Sequence, residues 1–329
     1  MEQFRAVRIH DNEGKVSARL ENLRLEDLSA GDVVIRCAWS CINYKDALAA
    51  TGAGKILRQF PLVGGIDTAG TVVESNDSRY AVGDEVLVTS AGLSETRDGG
   101  YAEYARLEGD SVIPLPDGFS LRDVMALGTA GFTAALAVHQ MEHNGLKPDN
   151  GPVAVNGATG GVGSVAIDLL SGRGYDVHAI SAKPEAAGYL RSLGASEVVL
   201  LGELDMGSRP LERALWAGAV DSLGGDTLAW FIRSTCYGGS VASIGLAASV
   251  KLEATVLPFI LRGVNLLGIN AVDTPREARL SVWQRLATDL KPRHLDKIVT
   301  SEVELAHVAD SMQDWIDGAV TGRRLVRID

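Results

Sequence analysis

The first third of the chain places apolar and polar positions in short, closely spaced runs. Phe4–Ile9, Asp32–Trp39, Ala69–Val73, Glu85–Thr89 and Gly100–Arg106 read as strands, and clusters of Gly, Asp, Asn and Pro separate them. That spacing predicts a small irregular barrel or sandwich. Leu115-Pro116-Asp117-Gly118 marks a turn, and Ser120 stands where it can cap a following helix.

From about Asp123 the pattern changes to strands alternating with helices. Pro152–Asn156, Asp176–Ile180, Glu197–Leu201, Gly218–Asp221, Ser240–Ile244 and Asn265–Ile269 are the expected strands. The helical stretches between them are Gly163–Gly172, Pro184–Leu193, Pro210–Trp216, Thr227–Ser234 and Leu252–Leu261. Strands with helical crossovers predict an α/β protein with a Rossmann-type, doubly wound parallel sheet. The chain then reads as a helix at Pro275–Leu290, a strand at Lys297–Val303, a helix at Leu305–Gly318 and a last strand at Arg324–Ile328. The expected domains are a β-rich catalytic domain of residues 1–124 and 272–329 and a cofactor domain of residues 125–271.

Composition narrows the function classes. A chain of 329 residues suits two domains, and 46% hydrophobic with 22% charged residues excludes wholesale disorder. The net charge of −11, with no basic block, disfavours a nucleic-acid ligand. Cys37, Cys41 and Cys236 are too few for a disulfide framework or a four-cysteine zinc knot. The first residues lack the apolar core of a signal peptide, and no run is expected to approach the ~18–20 apolar residues of a membrane span. A soluble, cytoplasmic protein is expected.

Asn156-Gly157-Ala158-Thr159-Gly160-Gly161-Val162-Gly163 lies between an expected strand and an expected helix. Such a turn lets backbone amides approach a pyrophosphate, with the positive end of the helix dipole behind them. Gly160 permits the close approach and Gly163 the close packing of helix on strand, while Ala158 replaces the first glycine of the usual fingerprint. The next strand ends in Ser181-Ala182-Lys183 rather than an acidic residue. A hydroxyl and an ammonium there suit a ribose 2′-phosphate, so the expected cofactor is NADPH.

Five segments, taken in order, carry a family resemblance: Gly64-Gly65-Ile66-Asp67-Thr68-Ala69-Gly70, Gly83-Asp84-Glu85-Val86, Gly99-Gly100-Tyr101-Ala102-Glu103-Tyr104, Gly128-Thr129-Ala130-Gly131-Phe132-Thr133-Ala134 and the glycine turn. Together the chain resembles the medium-chain dehydrogenase/reductase superfamily along almost its whole length, which implies a GroES-like catalytic domain. Asn43-Tyr44-Lys45-Asp46-Ala47-Leu48, Pro258-Phe259-Ile260-Leu261-Arg262 and Gly322-Arg323 are similar to the zinc-free acrylyl-CoA reductase branch. Zinc members carry Gly-His-Glu where this chain has Gly65-Ile66-Asp67, and isoleucine cannot ligate a metal, so no metal is expected. His139-Gln140-Met141-Glu142-His143 matches a short zinc spacing, but reads as a solvated helix end.

The resemblance implies NADPH-dependent reduction of acryloyl-CoA to propanoyl-CoA, with a zeta-crystallin-type quinone reductase as the alternative. An NADPH-binding protein without turnover is a third class. The chemistry needs a hydrogen-bond donor for the developing enolate oxygen and a proton for the α-carbon. Tyr44 is the first candidate, with Asn43 and Asp46 as secondary catalytic candidates that orient Tyr44 or the nicotinamide. The expected cofactor contacts are Tyr44, Thr133, Thr159, Gly160, Gly161, Val162, Gly163, Ser181, Ala182, Lys183, Gly245 and Leu246, with Ile260, Ala271 and Gly318 implied by the resemblance. Arg262 and Arg323, with Lys55 and Arg324, are candidate cations for the CoA phosphates. A homodimer is expected by analogy with relatives.

Overall fold

The computed structural model describes residues 3–328, so the first two residues and the last residue of the expected catalytic domain lie outside the described residues. In chain order the elements begin with β1 (Phe4–Asn12), β2 (Lys15–Leu23), β3 (Val33–Ile42), α1 (Tyr44–Thr51), β4 (Leu62–Val63), β5 (Asp67–Ser75), β6 (Glu85–Thr89), β7 (Tyr104–Leu107) and β8 (Ile113–Pro114). They continue with α2 (Leu121–His143), β9 (Val153–Val155), α3 (Gly161–Gly172), β10 (Val177–Ser181), α4 (Ala187–Ser192), β11 (Glu197–Leu200), β12 (Trp216–Asp221), α5 (Gly225–Ser234), β13 (Thr235–Ser243), α6 (Leu257–Arg262) and β14 (Asn265–Gly268). The last are α7 (Arg276–Ala287), α8 (Leu295–Ile298), β15 (Val299–Glu304), α9 (Gln313–Ile316) and β16 (Arg323–Arg327). The chain divides into two units, one of Met1–Thr129, Ala271–Trp283 and Ile298–Asp329, the other of Ala130–Asn270 and Gln284–Lys297.

The first unit is β-rich. A seven-stranded sheet runs β15-β16-β3-β5-β6-β8 with β7 also paired to β3, and a second sheet runs β2-β1-β4. Strand β2 is absent from the expected elements, because its mixed burial gives no clean alternation. The inward positions of β1, β3 and β6, with Ala47, Ala49 and Ala50 of α1, form one apolar core that Val308, Met312 and Trp315 close. The expected helix at Leu305–Gly318 is instead two single 3-10 turns followed by α9. Buried Leu305 and Val308, and then Met312 and Trp315, recur at three residues, a spacing that suits tight turns.

The second unit has a parallel sheet in the order β11-β10-β9-β12-β13-β14, the doubly wound arrangement with its switch point between β9 and β12. Strand β9 is buried at all three positions, as a central parallel strand must be. Residues Pro210 to Leu215 are not helical, contrary to expectation, and Trp216 opens β12. Its ring packs edge-on against Trp230 at 5.8 Å and His178 at 5.5 Å, so tertiary packing overrides local propensity. The helix expected at Leu252–Leu261 starts only at Leu257, where Pro258 fits the first turn.

Helix α2 is long and apolar enough to cross a membrane by length and composition, but 78% of that stretch is buried inside the protein. It begins with a reciprocal cap, since Ser120 Oγ donates to Asp123 and the Asp123 amide donates back to Ser120 Oγ. Gly128 interrupts it with φ 52° and ψ −157°. A Cβ at Gly128 would lie 2.6 Å from Arg323 Nη2, Asp67 Oδ2 and Cys41 Sγ alike, so only glycine fits.

The loop after β6 is strained. Ser90, Ala91 and Ser94 all have φ between 50° and 58°, in the left-handed region that side chains disfavour. The Ser94 side chain is fully buried, and its hydroxyl has no hydrogen-bond partner. Ser94→Gly removes both penalties against a smaller entropic cost and is expected to stabilise by about 1 kcal/mol. Urea unfolding followed by circular dichroism checks this, and a lower midpoint for the variant refutes it.

Candidate active site

The cofactor half is built at the carboxyl ends of three parallel strands. Residues 156–160 turn from β9 into α3, with Gly157 at φ 56°. A Cβ on Gly163 would sit 2.5 Å from the Gly157 carbonyl oxygen, so helix and turn touch backbone to backbone. The helix cap Gly160 supplies no side-chain bond to the first turn. Thr159, Gly160, Gly161 and Val162 are all partly exposed, so the first amides of a twelve-residue helix face outward. That uncapped end fits a pyrophosphate.

Strand β10 ends in Ser181, whose hydroxyl accepts the Lys183 amide at 3.0 Å. This small turn projects Ala182 and Lys183 outward, whereas Ser181 itself is buried. Gly245 and Leu246 follow β13, and a Cβ at Gly245 would meet the Ser222 carbonyl at 2.4 Å. The strand ends are tied by two polar groups the sequence reading did not single out. Buried Asn156 donates to Asp221 Oδ1 and accepts the Ser222 amide at 2.7 Å, while Asp221 Oδ2 accepts the Gly224 amide at 2.9 Å. Burial raises the Asp221 carboxyl above its usual range.

In the β-rich unit Tyr44 is the first residue of α1 and 43% exposed. Asn43 precedes the helix, and its amide donates to Asp46 Oδ2 at 2.8 Å, fixing the entry to α1. The Asn43 side-chain amide donates to both Asp46 Oδ2, at 3.1 Å, and Asp67 Oδ2, at 2.8 Å. Asp46 Oδ1 accepts the Ile66 amide. Asp67 also accepts the Cys41 thiol at 3.0 Å, the Thr129 amide at 2.9 Å and the Thr129 hydroxyl. Arg323 closes the cluster, donating to Asn43 Oδ1 at 2.9 Å, Cys41 Sγ at 2.7 Å and the Ala126 carbonyl at 3.1 Å.

Burial, and then the charge of Asp67, raise the Asp46 carboxyl to about 6. Burial likewise pushes the Cys41 thiol well above its ordinary value, although Arg323 opposes this. Asp46 and Asn43 are therefore positioning residues for α1. Asp67, Cys41 and Thr129 complete the cluster, yet the sequence showed the first and third only as parts of glycine-rich family segments.

Two of the expected CoA cations are committed elsewhere. Arg323 is 1% exposed, so a role at a surface phosphate is withdrawn. Arg262 donates to the carbonyls of Arg233, Thr235 and Glu212, which makes it a staple between α6 and its neighbours. Arg324 bonds Ser301 Oγ and Asp314, whereas Lys55 is exposed. Lys45 pairs with Glu95 at 2.7 Å. Thr133 is buried in α2, Ala271 is buried in the β-rich unit, and Gly318 is exposed just beyond α9. Ile260 is 68% exposed on α6.

The residues do not fit a zinc ion. Ile66 offers no ligand atom, and both Asp67 oxygens already accept bonds from Thr129. Glu142, at the centre of the helix-end motif, accepts from Arg285 at 2.6 Å and from Tyr175 at 3.1 Å. No cluster of three or more His, Cys, Asp or Glu side chains placed to hold a metal occurs among the described residues.

Comparison with known proteins places this architecture. Residues 29–117 match the alcohol dehydrogenase GroES-like domain, and residues 161–288 match the family named zinc-binding dehydrogenase. The chain is 48% identical to the putative quinone oxidoreductase YhfP of Bacillus subtilis, over 99% of both chains. It is 44% identical to acrylyl-CoA reductase AcuI of Ruegeria pomeroyi, again over 99% of both. Among solved structures, the yhdH oxidoreductase of Salmonella enterica in complex with NADP superposes with a TM-score of 0.96 at 46% identity, covering 99% of this chain and 100% of that one. Bacillus subtilis yhfP with NAD bound gives 0.97 at 48% identity, with full coverage of both. The chain belongs to the medium-chain dehydrogenase/reductase superfamily, in its quinone oxidoreductase-like branch.

Proposed function

We propose that the protein is an NADPH-dependent, zinc-independent oxidoreductase that reduces the carbon–carbon double bond of acryloyl-CoA to give propanoyl-CoA. The observation that carries the reading is the end-to-end similarity to an acrylyl-CoA reductase. The uncapped start of α3 and the Ser181–Lys183 turn fit the pyrophosphate and the 2′-phosphate. NADPH, when bound, supplies the hydride that the β-carbon of the unsaturated thioester accepts. Tyr44 contributes a hydroxyl on an exposed, well-anchored helix start, and donates to the thioester oxygen as it gains negative charge. Asn43 and Asp46 hold that helix start in place.

Quinone reduction is the second reading, favoured by the name of the relative at 48% identity. Following NADPH absorbance with acryloyl-CoA and, separately, a benzoquinone separates the two. Fast oxidation with the thioester supports the proposal, and turnover of the quinone alone overturns it. Tyr44→Phe is expected to lower kcat by about a hundredfold, the size of losing one oxyanion donor, with little change in NADPH binding. An unchanged kcat removes Tyr44 from the mechanism.

Lys183 sets the choice of dinucleotide in this reading. Lys183→Ala is expected to weaken NADPH about tenfold or more, the worth of one charged hydrogen bond, and to leave NADH unaffected. Fluorescence titration of both cofactors measures it, and equal losses for the two refute the assignment.

We assign the chain to the cytoplasm and to a homodimer. The support for the dimer is that Val250, Val256, Ile260 and Leu261, all more than half exposed, precede in sequence β14, an edge strand of the parallel sheet. Val250→Asp with Val256→Asp is expected to convert a dimer to a monomer in sedimentation velocity. A monomeric wild type contradicts the assignment.

A further inference from the structure

Strand β13 does not follow β12 step for step. Trp216 pairs with Thr235 and Gly218 with Ser240, so the register slips and residues 236–239 form a broad bulge. A Cβ on Gly239 would lie 2.6 Å from the Ala217 carbonyl oxygen, so the bulge rejoins the sheet in backbone contact. Neighbouring side chains hold its shape. Arg262 donates to the Thr235 carbonyl at 3.3 Å, and Asn265 Nδ2 donates to the carbonyls of Gly238 at 3.3 Å and Gly239 at 3.4 Å.

Against this bulge lies a cavity of about 310 Å³, with Leu146 and Ala217 as apolar wall and Cys236, Tyr237 and Ser240 as polar groups. Its volume falls at the small end of the range for small-molecule sites. No charged side chain lines it among the described residues. Val241 and its β12 partner Ala219 belong to the apolar core on one face of the sheet, so Ser240 and its partner Gly218 look to the other face. A Cβ on Gly218 would meet Met141 Cε at 2.6 Å and Leu146 Cδ1 at 3.4 Å, and Leu146 is the cavity wall. The Ser240 side chain thus turns toward the cavity. It is 1% exposed, and its hydroxyl has no hydrogen-bond partner. Buried hydroxyls are nearly always paired, so this one is left for a ligand.

The second reactive group is a thiol. Cys37 and Cys41 are buried, whereas Cys236 is partly exposed in the cavity lining. Both Cys236 and Ser240 precede the regular part of β13, while Gly245 and Leu246 follow its carboxyl end, roughly 15 Å along the strand. The cavity is therefore separate from the cofactor contacts.

We propose that this cavity is a second small-molecule site, for an uncharged α,β-unsaturated carbonyl compound, and that Cys236 adds to its double bond. The Ser240 hydroxyl donates to the carbonyl oxygen. Sulfur forms a bond to the β-carbon, the π pair of the double bond moves toward the carbonyl as an enolate, and the proton lost by sulfur ends on the α-carbon. The adduct keeps every atom of both reactants and needs no oxidant or reductant. The lining sets the ligand class, because a carboxylate or phosphate entering it would lose water without gaining a counter-charge. The site does not depend on the reductase reading.

Timed labelling of the full chain with N-ethylmaleimide, a neutral unsaturated carbonyl compound, tests this, with peptide mass spectrometry reading each cysteine. The expected result is labelling of Cys236 at a rate that saturates with maleimide concentration, while Cys37 and Cys41 stay unmodified. Ser240→Ala is expected to lower the labelling efficiency about tenfold, the worth of one hydrogen bond. A maleimide carrying a carboxylate should react at least about tenfold more slowly than N-ethylmaleimide, after correction for their ratio with free mercaptoethanol. Circular dichroism and NADPH titration of Ser240→Ala should match wild type, and if that variant fails to fold, saturation and the charge discrimination in wild type still decide. A rate strictly proportional to maleimide concentration, an unchanged rate in folded Ser240→Ala, or an unmodified Cys236 each overturns the proposal.

Discussion

A carboxylate with no access to water has to be satisfied by the protein, and Asp67 is such a group. Leaving a buried ion unpaired costs roughly 3–5 kcal/mol, so the chain around it is constrained in detail. Asn43 and Cys41 reach it from β3 and the start of α1, and Thr129 reaches it from α2. The close approach of α2 demands glycine at position 128, and Arg323 brings the counter-charge from the last strand. Four separated stretches of sequence thus meet in one cluster. The helix start that presents Tyr44 inherits its rigidity from that meeting.

The second unit solves a different problem by simpler means. A parallel sheet aligns the carboxyl ends of β9, β10 and β13, and the glycine turn leaves the first amides of α3 without internal partners. Orphan donors at a helix start are an unfinished structure until an anion completes them. Asn156 and Asp221 keep the strand ends from separating without intruding on that space. At the glycine turn the backbone offers the free donors, and the side chains of Asn156 and Asp221 fix its shape.

This difference explains what could be read in advance. The glycine turn, the Ser181–Lys183 turn and the six parallel strands are local features, and period and spacing reveal them. Asp67, Cys41, Thr129 and Arg323 are far apart in the chain, and each looks ordinary alone. Arg323 was expected among the cations for the CoA phosphates, yet residue 323 begins β16 and its guanidinium is buried on Asn43, Cys41 and the Ala126 carbonyl. The stretches 210–216 and 252–256 failed for the opposite reason. Their helical pattern was real, but Trp216 gains more from packing on Trp230 than from another helical turn.

The same cluster bears on how the fold works without a metal. At Gly65-Ile66-Asp67, where zinc members carry Gly-His-Glu, the apolar Ile66 side chain joins the core and leaves Asp67 alone among donors. A zinc ion would contribute two fixed positive charges to such a site. Here Arg323 and Arg279 supply two, and unlike a metal they bring directed hydrogen-bond donors that hold neighbouring groups in register.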